Sequence, residues 1–150
     1  REQPVHFIRL RWQVALEARL AADWLGEERM KTGSLDFGDE CTDSFNNGCK
    51  KDAGDTGIYL NPVMSAKLTT KDSFNMKYGR VQVKAKMPAG KWIWPAIWLL
   101  PKDEVYGGWP TSGEIDLVEA RGNDVASCPI GRNQFATTLH LGPQPDRDAW

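Results

Sequence analysis

Three carboxylates crowd one short apolar run. In GGWPTSGEIDLVEARGN, residues 107–123, Glu114, Asp116 and Glu119 are set among Ile115, Leu117 and Val118. Read as a strand, the run puts Glu114 and Asp116 on one face, with Ile115 and Leu117 on the other. Strict alternation would then drive Glu119 into the apolar face, where a lone ionised carboxylate is costly. One β-bulge between Asp116 and Glu119 resets the alternation and returns Glu119 to the face of the other two. The two glutamates then stand four effective strand steps apart, roughly 13 Å between Cα atoms. Their side chains can bring the carboxyls much closer. Cleaving a glycosidic bond with retention needs two carboxyls about 5–5.5 Å apart, one to attack and one to protonate the leaving oxygen and then activate water. A third carboxyl beside the nucleophile can hydrogen-bond it and hold the protonation states of the pair apart. Three acids on a strand are more often a salt-bridged surface, so the flanking sequence has to decide.

Those flanks read as short strands. GIYLNPVMSAKLTT, YGRVQVKAKMPAG and WIWPAIWLLP are runs of β-branched and aromatic residues, separated by turn signals such as KDAGD and GGWP. GRVQVKAKMP alternates, with Val81, Val83 and Ala85 on one face and Gln82, Lys84 and Lys86 on the other, which predicts a half-buried antiparallel strand. EIDLVE and FATTLHL add two more. Many short strands without intervening helices predict an all-β sandwich. The exception is IRLRWQVALEARLAADWL, residues 8–25, rich in Leu, Ala, Arg and Glu and free of Gly and Pro, where local propensity predicts helix.

Bulk properties narrow the function. At 150 residues, 41% hydrophobic and 26% charged, the chain fits one globular domain or a piece of a larger one. A formal net charge of -1 offers no electrostatic case for nucleic acid or an anionic membrane as partner. No apolar run approaches the ~18 residues of a membrane span. Cys41 and Cys49 enclose the polar loop CTDSFNNGC, which suits a local disulfide in a secreted protein; two unpaired thiols are the alternative. Cys128 is left over, with a partner expected beyond Trp150. There is no C-x-x-C, and His6 and His140 are the only histidines, so no zinc site and no cofactor is expected.

WPTSGEIDLVEARGN resembles the active-site strand of glycoside hydrolase family 16 in its bulged E-x-D-x-x-E form. That form is typical of endo-β-1,3-glucanases (laminarinases) and of animal β-1,3-glucan-binding proteins. SFNMKYGRVQVKAKMPAGKWIWPAIWLLP resembles the segment before the site, and ATTLHLGPQPD the segment after it. YLNPVMSAKL and the CTDSFNNGC loop are similar to the animal branch. The resemblance runs from about Leu20 to Trp150. It implies a concanavalin A-like jelly-roll β-sandwich, here incomplete, with the glycan in a concave cleft. It implies Glu114 as nucleophile, Asp116 as its hydrogen-bonding helper and Glu119 as general acid/base. It also implies a secreted protein whose partner is β-1,3-glucan, with lipopolysaccharide as a further ligand of the pattern-recognition members. Hydrolysis and non-catalytic recognition in innate immunity both stay open, the intact carboxylates favouring hydrolysis. Relatives acting on galactans or xyloglucan are set lower, because they often use other spacing or loops.

Four of the seven tryptophans fall between residues 92 and 109. Tryptophan offers sugars a large rigid platform with a polar N–H at its edge, while core filling is the usual role of aromatics in a sandwich. Trp98 and Trp109, and less strongly Trp94, are the expected sugar contacts; Trp92 is assigned to rim or core. His140 matches a histidine facing the catalytic strand in the family, orienting Glu119 or a sugar hydroxyl, or serving structure alone. Residues 1–19 do not resemble the family. Another reading of possible codons there yields a family-like segment, so residues 1–19 are expected to be an out-of-frame translation and residues 20–150 a partial family 16 domain.

Overall fold

The computed structural model describes residues 14–42, 44, 47–54, 57, 59–126 and 131–149. Cys128 and residues 1–13 lie outside the described residues. Among the described residues, seven strands, two short helices and two 3-10 turns make a mainly β chain. Contacts group it into two compact units, one running through Leu68 and the other starting at Thr69. No helix among the described residues is long and apolar enough to cross a membrane.

In the first unit, β1 (Arg19–Leu20) pairs antiparallel with β4 (Val63–Met64), and β2 (Ser34–Asp36) with β3 (Lys50–Asp52). Between β1 and β2 lie α1 (Ala21–Leu25) and α2 (Glu27–Thr32), separated by Gly26 at φ +81°, which glycine adopts without Cβ strain. Of the helix expected over residues 8–25, positions 8–13 lie outside the described residues, and from Val14 onward α1 alone is helical. Val14 to Ala18 carry no regular structure, and the next two residues join a strand instead. Tertiary partners override propensity here: Leu20 pairs with Val63, and the Ala21 N–H goes to the Pro62 carbonyl at 2.9 Å. Ala21, Met30, Ala53 and Leu60 form the buried core, with Ala22, Leu25, Leu35 and Met64 packed around them. The Cys41–Cys49 disulfide closes the loop before β3, its Cα atoms 5.3 Å apart.

The second unit holds one sheet, in the order β5 (Ala96–Leu99), β6 (Glu114–Ala120), β7 (Phe135–His140), all antiparallel. The alternating segment 79–88 forms no strand, and Val81 and Val83 are exposed. Alternation specifies two faces, but a strand also needs a neighbour to take its ladder hydrogen bonds, and none among the described residues does so. In the central strand, Asp116 pairs with Trp98 and Thr138, and Glu119 with Ala96 and Ala136. Three residues of β6 thus span two of each neighbour, a one-residue bulge between Asp116 and Glu119. The Thr137 hydroxyl donates to the Leu117 carbonyl at 3.1 Å, occupying an acceptor inside the bulge. Ile115 pairs with Leu99 and Leu139, so the opposite face is apolar. Such a face suits the inner side of a β-sandwich.

Candidate active site

Cross-strand partners share a face, so the register puts Glu114, Asp116 and Glu119 together with His140, Thr138, Ala136, Trp98 and Ala96. The loop before β6 aims one more side chain at this face. It turns through a cis Trp109–Pro110 peptide with Pro110 fully buried. The Ser112 hydroxyl donates to the Gly107 carbonyl at 2.6 Å and accepts the Tyr106 N–H at 3.1 Å. The Thr111 hydroxyl donates to the Pro143 carbonyl at 3.2 Å. Gly113, at φ +86°, makes the final turn into the strand. Held this way, the Trp109 indole N–H donates to Glu114 Oε2 at 2.6 Å, and its ring lies 5.6 Å from that of His140.

Asp116 sits behind Glu114 and is 1% exposed, the one buried charged residue among those described. His140 Nε2 lies 3.0 Å from Asp116 Oδ2. That nitrogen is close enough for an ion pair but is not aligned as a hydrogen-bond donor, and Asp116 Oδ2 accepts no hydrogen bond among the described residues. On the other side of the imidazole, Nδ1 is 2.5 Å from Asp148 Oδ2, while Asp148 Oδ1 accepts the Leu141 N–H at 3.0 Å. The family resemblance implied Glu119 or a sugar hydroxyl as the partner of His140; its nitrogens face Asp116 and Asp148. Asp148 had no place in the sequence reading. The signal for it was Gly142–Pro143, a turn that folds the chain after β7 back on itself. A Cβ at Gly142 would fall on the Arg147 carbonyl, so the close approach needs glycine.

These contacts shift two groups. Burial is the main influence raising the Glu114 carboxyl above the ordinary range. The Trp109 N–H opposes it, the neighbouring Asp116 adds to it, and His140 lowers it again. The His140 imidazole is raised, first by its hydrogen bond to Asp148, against a desolvation penalty, and further by the charges of Asp148, Asp116 and Glu114.

The remaining expected residues fall into two groups. Glu119 lies on the carboxylate face between two alanines, Ala96 and Ala136, both exposed, so small side chains flank it on each side. Trp98 is directly opposite Asp116 on that face. Trp94 precedes β5 and has the Arg121 guanidinium 5.3 Å above its ring, so one face is already covered. Trp92 is 91% exposed and so does not fill a core among the described residues. Glu114, Asp116 and His140 each place one oxygen or nitrogen within 4.8 Å of the others. A metal would need His140 neutral, whereas its carboxylate neighbours favour the imidazolium, which has no lone pair to give. The arrangement fits acid–base chemistry better than metal binding.

The chain matches the domain family described as XgeA-like, catalytic GH16 domain over residues 26–141. A β-1,3-glucan-binding protein of Penaeus monodon is 46% identical over 130 residues, covering 83% of this chain and 35% of the relative. Glucan endo-1,3-beta-glucosidase A1 of Niallia circulans is 50% identical over 80 residues, covering 53% and 11%. Gram-negative bacteria-binding protein 1 of Drosophila melanogaster is 32% identical over 143 residues, covering 91% and 28%. The chain therefore spans between 11% and 35% of these three relatives. No solved structure matches the chain closely.

Proposed function

The chain belongs to glycoside hydrolase family 16, whose fold is a jelly roll, and from that premise we propose that the whole protein hydrolyses β-1,3-glucan internally with retention of configuration. One observation carries this reading: the bulge in β6 sets all three carboxyls on one face. Glu114 attacks as the carboxylate, and the Trp109 N–H and a protonated His140 favour that form against the burial that raises its carboxyl. Glu114 attacks the anomeric carbon while Glu119 protonates the departing glycosidic oxygen, forming a covalent glycosyl–enzyme. Glu119, now a carboxylate, takes a proton from water as that water attacks the same carbon and releases Glu114. The alanines beside Glu119 leave room for the leaving sugar, and Trp98 and Trp109 offer stacking surfaces on the same side.

The second reading is recognition of β-1,3-glucan without cleavage, with lipopolysaccharide as a further ligand. The 46% identity to a protein named for binding this glucan, and the similarity to one named for binding Gram-negative bacteria, favour it. The Cys41–Cys49 disulfide supports secretion in either case. Sugar release from a soluble β-1,3-glucan by the full-length protein separates the two, with Glu114→Gln and Glu119→Gln as controls. Release that both substitutions abolish is the expected result. Binding without release means recognition only, and full turnover in Glu114→Gln would remove it as nucleophile.

A further inference from the structure

We propose that Asp148 is a positioning residue, holding His140 as an imidazolium against the buried Asp116 and so setting the pH at which Glu114 ionises. The proposal rests on the hydrolytic reading only for its kinetic half. The geometry is a continuous chain of acidic and basic groups. Asp148 Oδ2 lies 2.5 Å from His140 Nδ1, and His140 Nε2 lies 3.0 Å from Asp116 Oδ2. Asp148 is held on both oxygens, the second by the Leu141 N–H, and its side chain is 7% exposed. A carboxylate so enclosed needs a cationic or donating partner, and His140 is the group placed to supply it.

The second reason lies on the other side of the ring. Asp116 Oδ2 is buried and accepts no hydrogen bond among the described residues, yet a ring nitrogen stands 3.0 Å away. If His140 were neutral, no positive charge would stand beside the buried Asp116 carboxylate. With both nitrogens protonated, Nδ1 donates to Asp148 and the imidazolium charge lies 3.0 Å from Asp116 Oδ2, an ion pair rather than a hydrogen bond. Three carboxyls, Asp148, Asp116 and Glu114, bear on the ring, and each charge raises its affinity for a proton. The Trp109 ring closes a further side without contributing charge. The imidazolium also lowers the proton affinity of Glu114, so without it Glu114 would hold its proton to higher pH.

The test titrates the His140 ring by NMR in full-length protein, assigning its signals by their loss in His140→Gln. In the wild type the imidazole is expected to titrate above the ordinary value of about 6.5. In Asp148→Asn, which keeps an acceptor but no charge, the titration should fall by about 1 unit, and Asp148→Glu should restore part of it. On soluble glucan, the acid limb of the kcat/KM profile should move to higher pH in Asp148→Asn and back in Asp148→Glu. A wild-type His140 titrating at or below the ordinary value overturns the proposal even if no Asp148 variant folds. So does a folded Asp148→Asn with an unchanged titration, or a profile only scaled down without a shift. If the protein binds glucan without cutting it, the hydrolytic reading fails while the NMR titration still decides the role of Asp148.

Discussion

Up to Leu68 the most protected side chains are apolar, Leu60 at 1% and Ala21 at 3% exposed, whereas from Thr69 onward they are Asp116 at 1% and Pro110. The first unit is organised as a small protein core is: two short helices and two strand pairs close over four apolar side chains. The second places its most buried polar group where the proposed chemistry requires it and leaves Ile115 and Leu139, on the other face of the sheet, 42% and 55% exposed. Burial in the first unit gathers apolar side chains; in the second it encloses a carboxylate and raises the proton affinity of Glu114 beside it. Apolar burial favours folding in proportion to area, while a buried carboxylate must be compensated group by group.

Substitutions can sharpen or break that contrast. The largest effect should come from Asp116→Asn, lowering glucan turnover about 10³-fold. Its unfolding free energy in urea should change by less than about 1 kcal/mol, because the shape is kept and a buried charge is removed. A large loss of stability would mean that Asp116 is structural after all. Leu60→Ala should do the reverse, costing about 2–5 kcal/mol in the same urea titration. Cys41→Ser, opening the loop before β3, should cost about 2–3 kcal/mol, read as a lower urea midpoint that reduction of the wild type reproduces. Trp109→Phe keeps the ring but loses the N–H to Glu114. A roughly tenfold fall in kcat/KM is expected, corresponding to about 1.4 kcal/mol, with the acid limb moved to higher pH, since that N–H holds the Glu114 proton affinity down.

The smallest effect is on stability against pH. His140 binds its proton more tightly in the folded state than in the unfolded one. Its contribution is therefore complete below the unfolded value of about 6.5 and is lost as pH rises through the raised folded value. Urea midpoints measured from pH 6 upward should decline for the wild type and decline less for His140→Gln; equal slopes would break the link.

The site was legible where it depended on spacing within one strand. The E-x-D-x-x-E interval required a bulge on simple electrostatic grounds, and β6 has one between the expected residues. Grouping His140 with that strand came from the resemblance alone, and the register places it opposite Glu114. Asp148 was not legible, because its place depends on a loop returning to the end of β7, a contact that no periodicity encodes. The alternation in GRVQVKAKMP described a possible strand correctly as a pattern, yet pairing is a property of two segments and cannot be read from one. Helix propensity before Ala21 met the same limit, since the competing partners Pro62 and Val63 lie some forty residues downstream.

The bulge also decides what a change of length would do to β6. Removing one residue between Asp116 and Glu119 would delete the bulge and leave strict alternation, which still puts Glu119 on the face of Asp116. The carboxylate face would survive, with a straighter strand beneath it. Adding a residue there without a second bulge would instead turn Glu119 inward, although no chemical group at the site had been altered. The same change in the loop between β5 and β6 leaves every facing intact. Tolerance to length change should follow that arithmetic more closely than it follows distance from the carboxylates.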